Sequence, residues 1–494
     1  MSNEHATSSS GDNLRRRTLR GILWVAIEKW GVRLMSLAVF VILLRTISAE
    51  AFGLVSFATA VSALLQVLVD SGFAKSLVQK KLVDEFDTAT AFWTAMAIAG
   101  IVYGAIFFLA PIIESASGLS GLTAVLRVMT LAVFFSSASS VPAALLERDL
   151  QFKTLGVRNL AGTFVGAAVA VPMAILGLGV WALVTQTLAT IVTATVVLWI
   201  TSSWKPAFRF SFKSLRGMLE FGLSSMGIAF MNALQSNIDK ILVNTLVGAQ
   251  AGGIYFVAQR GIQLITDLIT SVIGQVALTS FSKMQDDRER LNRGFLQLTL
   301  ASCLVAFPVF SIVGSLADII LPFIAGEDGE WVEAVPLMQI FAISAALTAI
   351  AFFDKQTLLA VGKAKHALLL GIVENVVGIA LFVLAAPFGV VALAISRMSR
   401  LVFVWPYRLW LLKKFAGIRL TPYLKNILTM ACAAAISIAA YVVLSHTEWS
   451  DIENPFWMFA LPVAIIMASL FAGFAWLFCG ANNRKVIRHT FGLA

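Results

Sequence analysis

Charge is what this chain has least of. Only 13% of its 494 residues are Asp, Glu, Lys or Arg, about half the share of a soluble domain. Apolar residues make up 59%, and a soluble fold of this length cannot hide so much apolar side chain. A soluble enzyme and a disordered chain are therefore excluded. Cysteine is scarce too. Cys303, Cys432 and Cys479 sit in apolar stretches with no CxxC spacing and no histidine beside them, which excludes a disulfide scaffold and a cysteine metal site. The four histidines are scattered, so neither metal nor cofactor is expected. What remains is a protein that lives in lipid. Its net charge of +10 first suggests nucleic acid, but the charges fall at the ends of apolar runs, which is the membrane pattern, and no nucleic-acid partner is expected.

Residues 1–14 are polar and Ser-rich and read as a disordered cytoplasmic tail. Arg15, Arg16, Arg17 and Arg20 then precede an apolar run to about residue 46. That run is too long for a signal-peptide core and has no small-residue cleavage site, so it reads as an uncleaved first span. At roughly 20 residues per span, fourteen runs follow the chain: 19–46, 51–72, 89–111, 121–146, 158–177, 179–201, 215–246, 251–282, 292–323, 332–360, 365–386, 388–412, 423–445 and 455–480.

The connections test this count. Even-numbered ones carry Lys75, Lys80 and Lys81, then Arg148 and Lys153, then Lys205, Arg209 and Lys213, then Lys283, Arg288 and Arg290, then Lys363, then Lys413, Lys414 and Arg419. The C-terminus adds Arg484, Lys485 and Arg488. Odd-numbered ones carry Glu50, Glu114, the trio Glu327, Asp328 and Glu330, and the trio Glu448, Asp451 and Glu453, without Lys or Arg. One missed span would put basic loops on both sides. The alternation predicts fourteen spans with both termini in the cytoplasm.

Three short motifs recur in order. Leu19-Arg20-Gly21 returns as Leu215-Arg216-Gly217, Ala49-x-Ala51-x-Gly53 as Ala249-x-Ala251-x-Gly253, and Gly179-Val180 as Gly389-Val390, at offsets of 196, 200 and 210. Six spans per copy keep the same orientation, which predicts two parallel six-helix repeats with a transport site between them. The expected organisation is a lobe over 15–204, a lobe over 205–414, and two extra helices with the cytoplasmic C-terminus over 415–494.

A charge at mid-membrane is costly and faces either a partner or a wet cavity. Basic candidates are Lys29 and Arg33 in span 1, Lys240 in span 7, Arg260 in span 8, Lys355 in span 10, and Arg397 and Arg400 in span 12. Lys29 and Arg33 share a helix face, as do Arg397 and Arg400. Polar stripes accompany them: Ser225, Asn232, Gln235, Ser236 and Asp239 in span 7, and Arg260, Gln263, Asp267, Ser271 and Gly274 in span 8. Each base is equally suited to a structural ion pair, because Glu28, Asp70, Asp239, Asp267, Asp354 and Glu374 are buried acids. Asp354 and Lys355 need not pair, since helix neighbours point about 100° apart. Arg33 and Arg397 are least neutralised locally; Lys240 and Arg400 lie nearer span ends and can snorkel. A wet cationic cavity suits anionic, hydroxyl-rich ligands, with Arg forking phosphate and Asn or Gln meeting sugar hydroxyls. The expected substrate-binding set is Lys29, Arg33, Asn232, Gln235, Arg260, Gln263, Lys355 and Arg397, with Glu28, Asp267 and Glu374 as candidates for ion coupling.

Several segments resemble a known family. Ala51-Phe52-Gly53-Leu54-Val55, then Asp70-Ser71-Gly72-Phe73 and Leu77-Val78-Gln79-Lys80-Lys81, look like the opening of bacterial polysaccharide transporters of the Wzx type. Leu146-Glu147-Arg148-Asp149-Leu150-Gln151-Phe152-Lys153 and Gly177-Leu178-Gly179-Val180-Trp181-Ala182-Leu183-Val184 are similar to later segments of that family. The resemblance covers most of 15–412 and is most specific over 45–186. It implies membership of the multidrug/oligosaccharidyl-lipid/polysaccharide exporter superfamily and two six-helix lobes in a V shape. It also implies a flippase that moves undecaprenyl-diphosphate-linked oligosaccharide units across the bacterial inner membrane for exopolysaccharide, capsule or O-antigen synthesis. It transfers no catalytic motif, so no enzyme activity is expected; a glycan polymerase is a candidate partner. The rival readings are a multidrug exporter of the same superfamily, which would need exposed acids where the cavity set leans basic, and a membrane-embedded glycan polymerase or glycosyltransferase. The latter lacks here a sizeable extramembrane domain and any DxD, clustered His or GxSxG pattern.

Overall fold

The computed structural model describes residues 24, 28–69, 76–78, 80, 83–282, 287–326, 329–446 and 456–478. The N-terminal tail and its arginines, the Asp70–Phe73 segment, Lys75, Lys81, Lys283, the acids at 327, 328, 448, 451 and 453, and the C-terminal basic residues lie outside these, as do the side chains of Ser225 and Ser271. Among the described residues there is no strand. Ten helical segments among the described residues are long and apolar enough to cross a membrane by length and composition. In lipid the backbone must satisfy its own hydrogen bonds, and a helix does so within one segment. The chain is an all-α, multi-pass membrane protein. Its outer side chains fit lipid: Phe108, Ile200, Leu384 and Phe403 are largely exposed, with no polar neighbour needed.

The chain divides into two compact units, Met1–Gly253 and Ile254–Ala494. The first holds α1 (28–44), α2 (Ala49–Val69), α3 (Glu85–Ser117), α4 (Leu122–Met129), α5 (Leu131–Arg148), α6 (Phe152–Ile175), α7 (Val180–Thr201), α8 (Phe212–Val247) and the first turn of α9 (Ala249–Ser282). Polar caps fix where helices begin. Asp84 opens α3 with a capping box: its Oδ1 accepts from Asp87 N at 2.7 Å, and Asp87 Oδ2 accepts from Asp84 N at 3.3 Å. Ser211 opens α8 by accepting from Ser214 N at 3.3 Å. Packing inside the unit relies on small residues. α6 lies along α7, and a Cβ at Gly162 or Gly166 would run into the Thr190 backbone or hydroxyl. This is the close-approach role of a G-x-x-x-G face in lipid.

A second close approach is reciprocal. A Cβ at Gly53 on α2 would collide with the Ala249 carbonyl, and a Cβ at Gly253 on α9 would collide with the Ala49 carbonyl. The two Ala-x-Ala-x-Gly segments thus cross at their first turns, each glycine admitting the other's backbone. Asn244 Nδ2 donates to Ser56 Oγ at 3.0 Å beside the crossing.

The second unit holds the rest of α9, then α10 (Arg288–Ser315), α11 (Ala317–Ala325), α12 (Ala334–Ala351), α13 (Asp354–Ala360), α14 (Ala364–Ala385), α15 (Gly389–Leu411), α16 (Leu420–Ser445) and α17 (Leu461–Phe478). Asp287 caps α10, accepting from Arg290 N at 3.0 Å. Its core is aromatic: Phe281, Phe295, Phe353, Tyr423 and Phe471 bury together with Leu300, Leu304 and Met430. α16 and α17, the two C-terminal runs, join that core, and Ser437 Oγ donates to the Met467 carbonyl at 3.0 Å between them.

Each apolar run between 28 and 478 contains helix, but three runs are broken. The run 121–146 breaks at Thr130, 292–323 at Leu316, and 332–360 at Phe352–Phe353.

Candidate functional site

In the first unit the candidates lie on α1 and α8. Lys29 and Arg33 are one helical turn apart on α1, both half-buried. Glu28 is engaged: Asn159 Nδ2 on α6 donates to its Oε1 at 2.8 Å, and Arg158 Nε donates to Asn159 Oδ1 at 3.2 Å. Arg33 differs. Its Nη1 is buried and has no hydrogen-bond partner among the described residues. On α8, Asn232 is exposed and Gln235 half-buried. One turn on, Ser236 Oγ donates to the Asn232 carbonyl at 2.9 Å. Asp239 is buried and accepts from Lys240 N at 3.0 Å, while Lys240 Nζ donates to Asn237 Oδ1 at 3.2 Å.

In the second unit, α9 presents Arg260, Gln263 and Asp267 one turn apart. Gln263 Nε2 donates to Asp267 Oδ1 at 2.7 Å, and the Arg260 guanidinium interacts electrostatically with the same carboxylate. Deeper in the unit an ion cluster joins three helices. Lys355 on α13 meets Glu374 on α14 at 2.8 Å; Arg408 on α15 forks to the other Glu374 oxygen and to Asp354 Oδ2 at 3.3 Å. Asp354, Glu374 and Arg408 are buried. The neighbours Asp354 and Lys355 therefore point to different partners. These two acids and two bases balance, as burial demands. Arg397 and Arg400 lie half-buried on α15, and the Arg400 stem packs so closely on Gly378 of α14 that a Cβ there would need to displace it. Apart from Lys365 in the first turn of α14, the charges of α13 to α15 are four bases against two acids.

The sequence reading missed Arg408. Its position close to Lys413 and Lys414 reads as a span end, yet it is the hub of the cluster. Two buried acids, Asp354 and Glu374, with only Lys355 near in sequence were the available signal. It missed Arg158 and Asn159 as well, the polar pair on α6 that holds Glu28. Among the described residues, no three His, Cys, Asp or Glu side chains gather as a metal centre would need.

The family model described as polysaccharide biosynthesis protein matches residues 42–336. The chain belongs to that family. Within this polysaccharide biosynthesis family, it is 25% identical over 455 residues to the teichuronic acid biosynthesis protein TuaB of Bacillus subtilis, covering 88% of this chain and 91% of that one. It is 24% identical over 344 residues to the lipopolysaccharide biosynthesis protein WzxC of Escherichia coli, covering 68% and 69%. The resemblance to Wzx-type transporters drawn from the sequence is thus correct. In fold, the chain is similar to the lipid II flippase MurJ in an inward closed conformation, with a TM-score of 0.73 at 13% identity over 92% of this chain and 99% of that one. It is also similar to an inward-facing multidrug resistance transporter of the MATE family, with a TM-score of 0.58 at 14% identity over 80% and 99%. This family member is a transporter of polysaccharide biosynthesis with a MurJ- and MATE-like fold.

Proposed function

We propose that the protein is a flippase for undecaprenyl-diphosphate-linked oligosaccharide repeat units. It moves them across the bacterial cytoplasmic membrane by alternating access through a hydrated, cationic cavity. Fourteen spans, lobes over 15–204 and 205–414, and both termini in the cytoplasm belong to this reading. The polar head cannot cross hydrocarbon alone, because each unpaired hydroxyl costs roughly 2–7 kcal/mol. A wet cavity replaces the lost water while the polyprenyl tail stays in lipid. A glycan polymerase receiving the flipped unit is the expected partner.

The observation that carries the reading is Arg33: an intramembrane guanidinium with Nη1 buried and unpartnered among the described residues. Such a group is costly unless a ligand anion meets it. Lys29, Arg260 and Arg397 join it as contacts for diphosphate or acidic sugars, and Asn232, Gln235 and Gln263 for hydroxyls. Lys355 remains in the set through its partly exposed ammonium, although Glu374 already holds it. Of the three coupling candidates, Asp267 and Glu28 each accept from a neutral amide, whereas Glu374 is held by two bases. The reading therefore gives the coupling role to Asp267 or Glu28 before Glu374. Relatives named for teichuronic acid and lipopolysaccharide synthesis support the substrate class.

The test is complementation of a deletion strain, with lipid-linked sugars quantified on each side of the membrane. Arg33→Gln combined with Arg397→Gln should abolish export while membrane levels stay normal. Normal export by that variant discards the site. Drug resistance conferred without glycan export would favour the multidrug reading instead.

A further inference from the structure

A cleft of about 790 Å³ opens within the first unit, away from the candidates on α1 and α8's midsection. Its walls are Ser76 and Lys80, the start of α3, and the residues that lead into and open α8. All three belong to the even-numbered connections, whose basic charge marks the cytoplasmic side in the proposed topology. The cleft is built rather than incidental. The extended segment 202–211 is fastened along the start of α3: Trp93 Nε1 donates to the Ala207 carbonyl at 2.9 Å, Ser211 N donates to Thr90 Oγ1 at 3.0 Å, and Arg209 pairs with Glu85 at 2.7 Å.

Its lining has a distinct chemistry. Phe86 and Phe210 offer two aromatic rings, each a little under half exposed. Ser76, Ser211 and Ser214 bring hydroxyls. Lys80 and Lys213 are matched by Asp84 and Asp87, so the cleft carries no net charge. Asp87 is buried; its Oδ2 is taken by Lys80 and by Asp84 N, while its Oδ1, with the Ser214 hydroxyl close to the carboxylate, accepts no hydrogen bond among the described residues. A buried carboxylate oxygen without a donor calls for a hydroxyl or amide N–H. Aromatic faces bind apolar C–H surfaces, and the polar groups around them fix orientation. A balanced charge gives an anionic headgroup no field to follow. Rings, carboxylates and hydroxyls together fit a pyranose, which presents C–H faces and hydroxyl edges at once.

The geometry points to this cleft as a carbohydrate-docking site on the cytoplasmic side, where the sugar head of the lipid-linked unit is first held before it enters the membrane path. The inference rests on the flippase reading for its orientation and its substrate. Phe86 and Phe210 are the platforms, and Asp87 and Ser214 are the hydrogen-bonding edge.

The test uses the full chain in lipid nanodiscs and, as probe, the repeat-unit oligosaccharide freed from its lipid by mild acid. Binding is read by quenching of tryptophan fluorescence, since Trp93, Trp199 and Trp204 line the neighbouring core. Saturable quenching by the oligosaccharide, weakened about tenfold by Phe86→Ala with Phe210→Ala, is the expected result. Both rings are partly exposed, so the variant should fold, which its thermal transition verifies; Ser214→Ala is a milder second variant with a smaller loss. Unchanged binding in both variants overturns the proposal. So does quenching by phosphatidylglycerol vesicles but not by sugar, which would make the cleft an anionic-lipid site. Export in the deletion strain is scored separately: sugar binding at the cleft without export leaves the docking site standing and sinks the flippase reading.

Discussion

Arg33 and Arg408 are the same side chain in the same kind of place, an apolar helix, and they are used in opposite ways. Arg408 lies between Glu374 and Asp354, with Lys355 on the far side of Glu374. Arg33 Nη1, like Arg408 Nε, is buried with no acceptor among the described residues, but Arg33 makes no ion pair there. Burial alone therefore does not distinguish a binding cation from a structural one; neutralisation does. A cluster with balanced charge holds three helices together, whereas an uncompensated guanidinium is a standing cost that a ligand can relieve.

The largest effect should come from breaking the balanced side of this contrast. Glu374→Gln leaves Arg408 and Lys355 facing one acid, and should cost about 3–5 kcal/mol of stability. Loss of folded, monodisperse protein in detergent, or a large fall in Tm, checks it. A smaller loss, about 1–3 kcal/mol, is expected from Gly53→Val, which overpacks the crossing with Ala249. Gly253→Val should cost a similar amount, and the double variant less than their sum because the two share one contact; Tm of the three variants decides. Arg33→Gln should shift stability by less than about 1 kcal/mol, in either direction, yet drop export to the deletion background. Wild-type export by Arg33→Gln would erase the contrast. The smallest effect belongs to the exposed pair Arg419–Glu289 at 3.1 Å: Glu289→Gln should move neither export nor Tm measurably.

Much of the helix pattern was legible because apolar runs and turn-breaking charges are strong local signals. The interruptions at Thr130, Leu316 and Phe352–Phe353 were not. An apolar run continues through each of them, and no Pro or Gly stands at the break. The spacing of Gly162 and Gly166 does not say which helix they meet; that they admit Thr190 of α7 is a tertiary fact. The candidate cations were readable as residue types in the wrong solvent. Their division into paired and unpaired was not, because pairing depends on side chains dozens of positions apart, as between Asp354 and Arg408. The chain's division at residue 253, inside α9, likewise follows from packing and not from composition.

The crossing of Ala49–Gly53 with Ala249–Gly253 has a consequence for how this sequence is free to drift. Each glycine is the vacancy into which the opposite backbone fits, so neither segment can gain bulk unless the other retreats. The two pentapeptides are bound to one another as a key is to its lock, and a change in one is at once a change in the fit of both. Short as it is, that match two hundred positions apart is the likeness least able to fade.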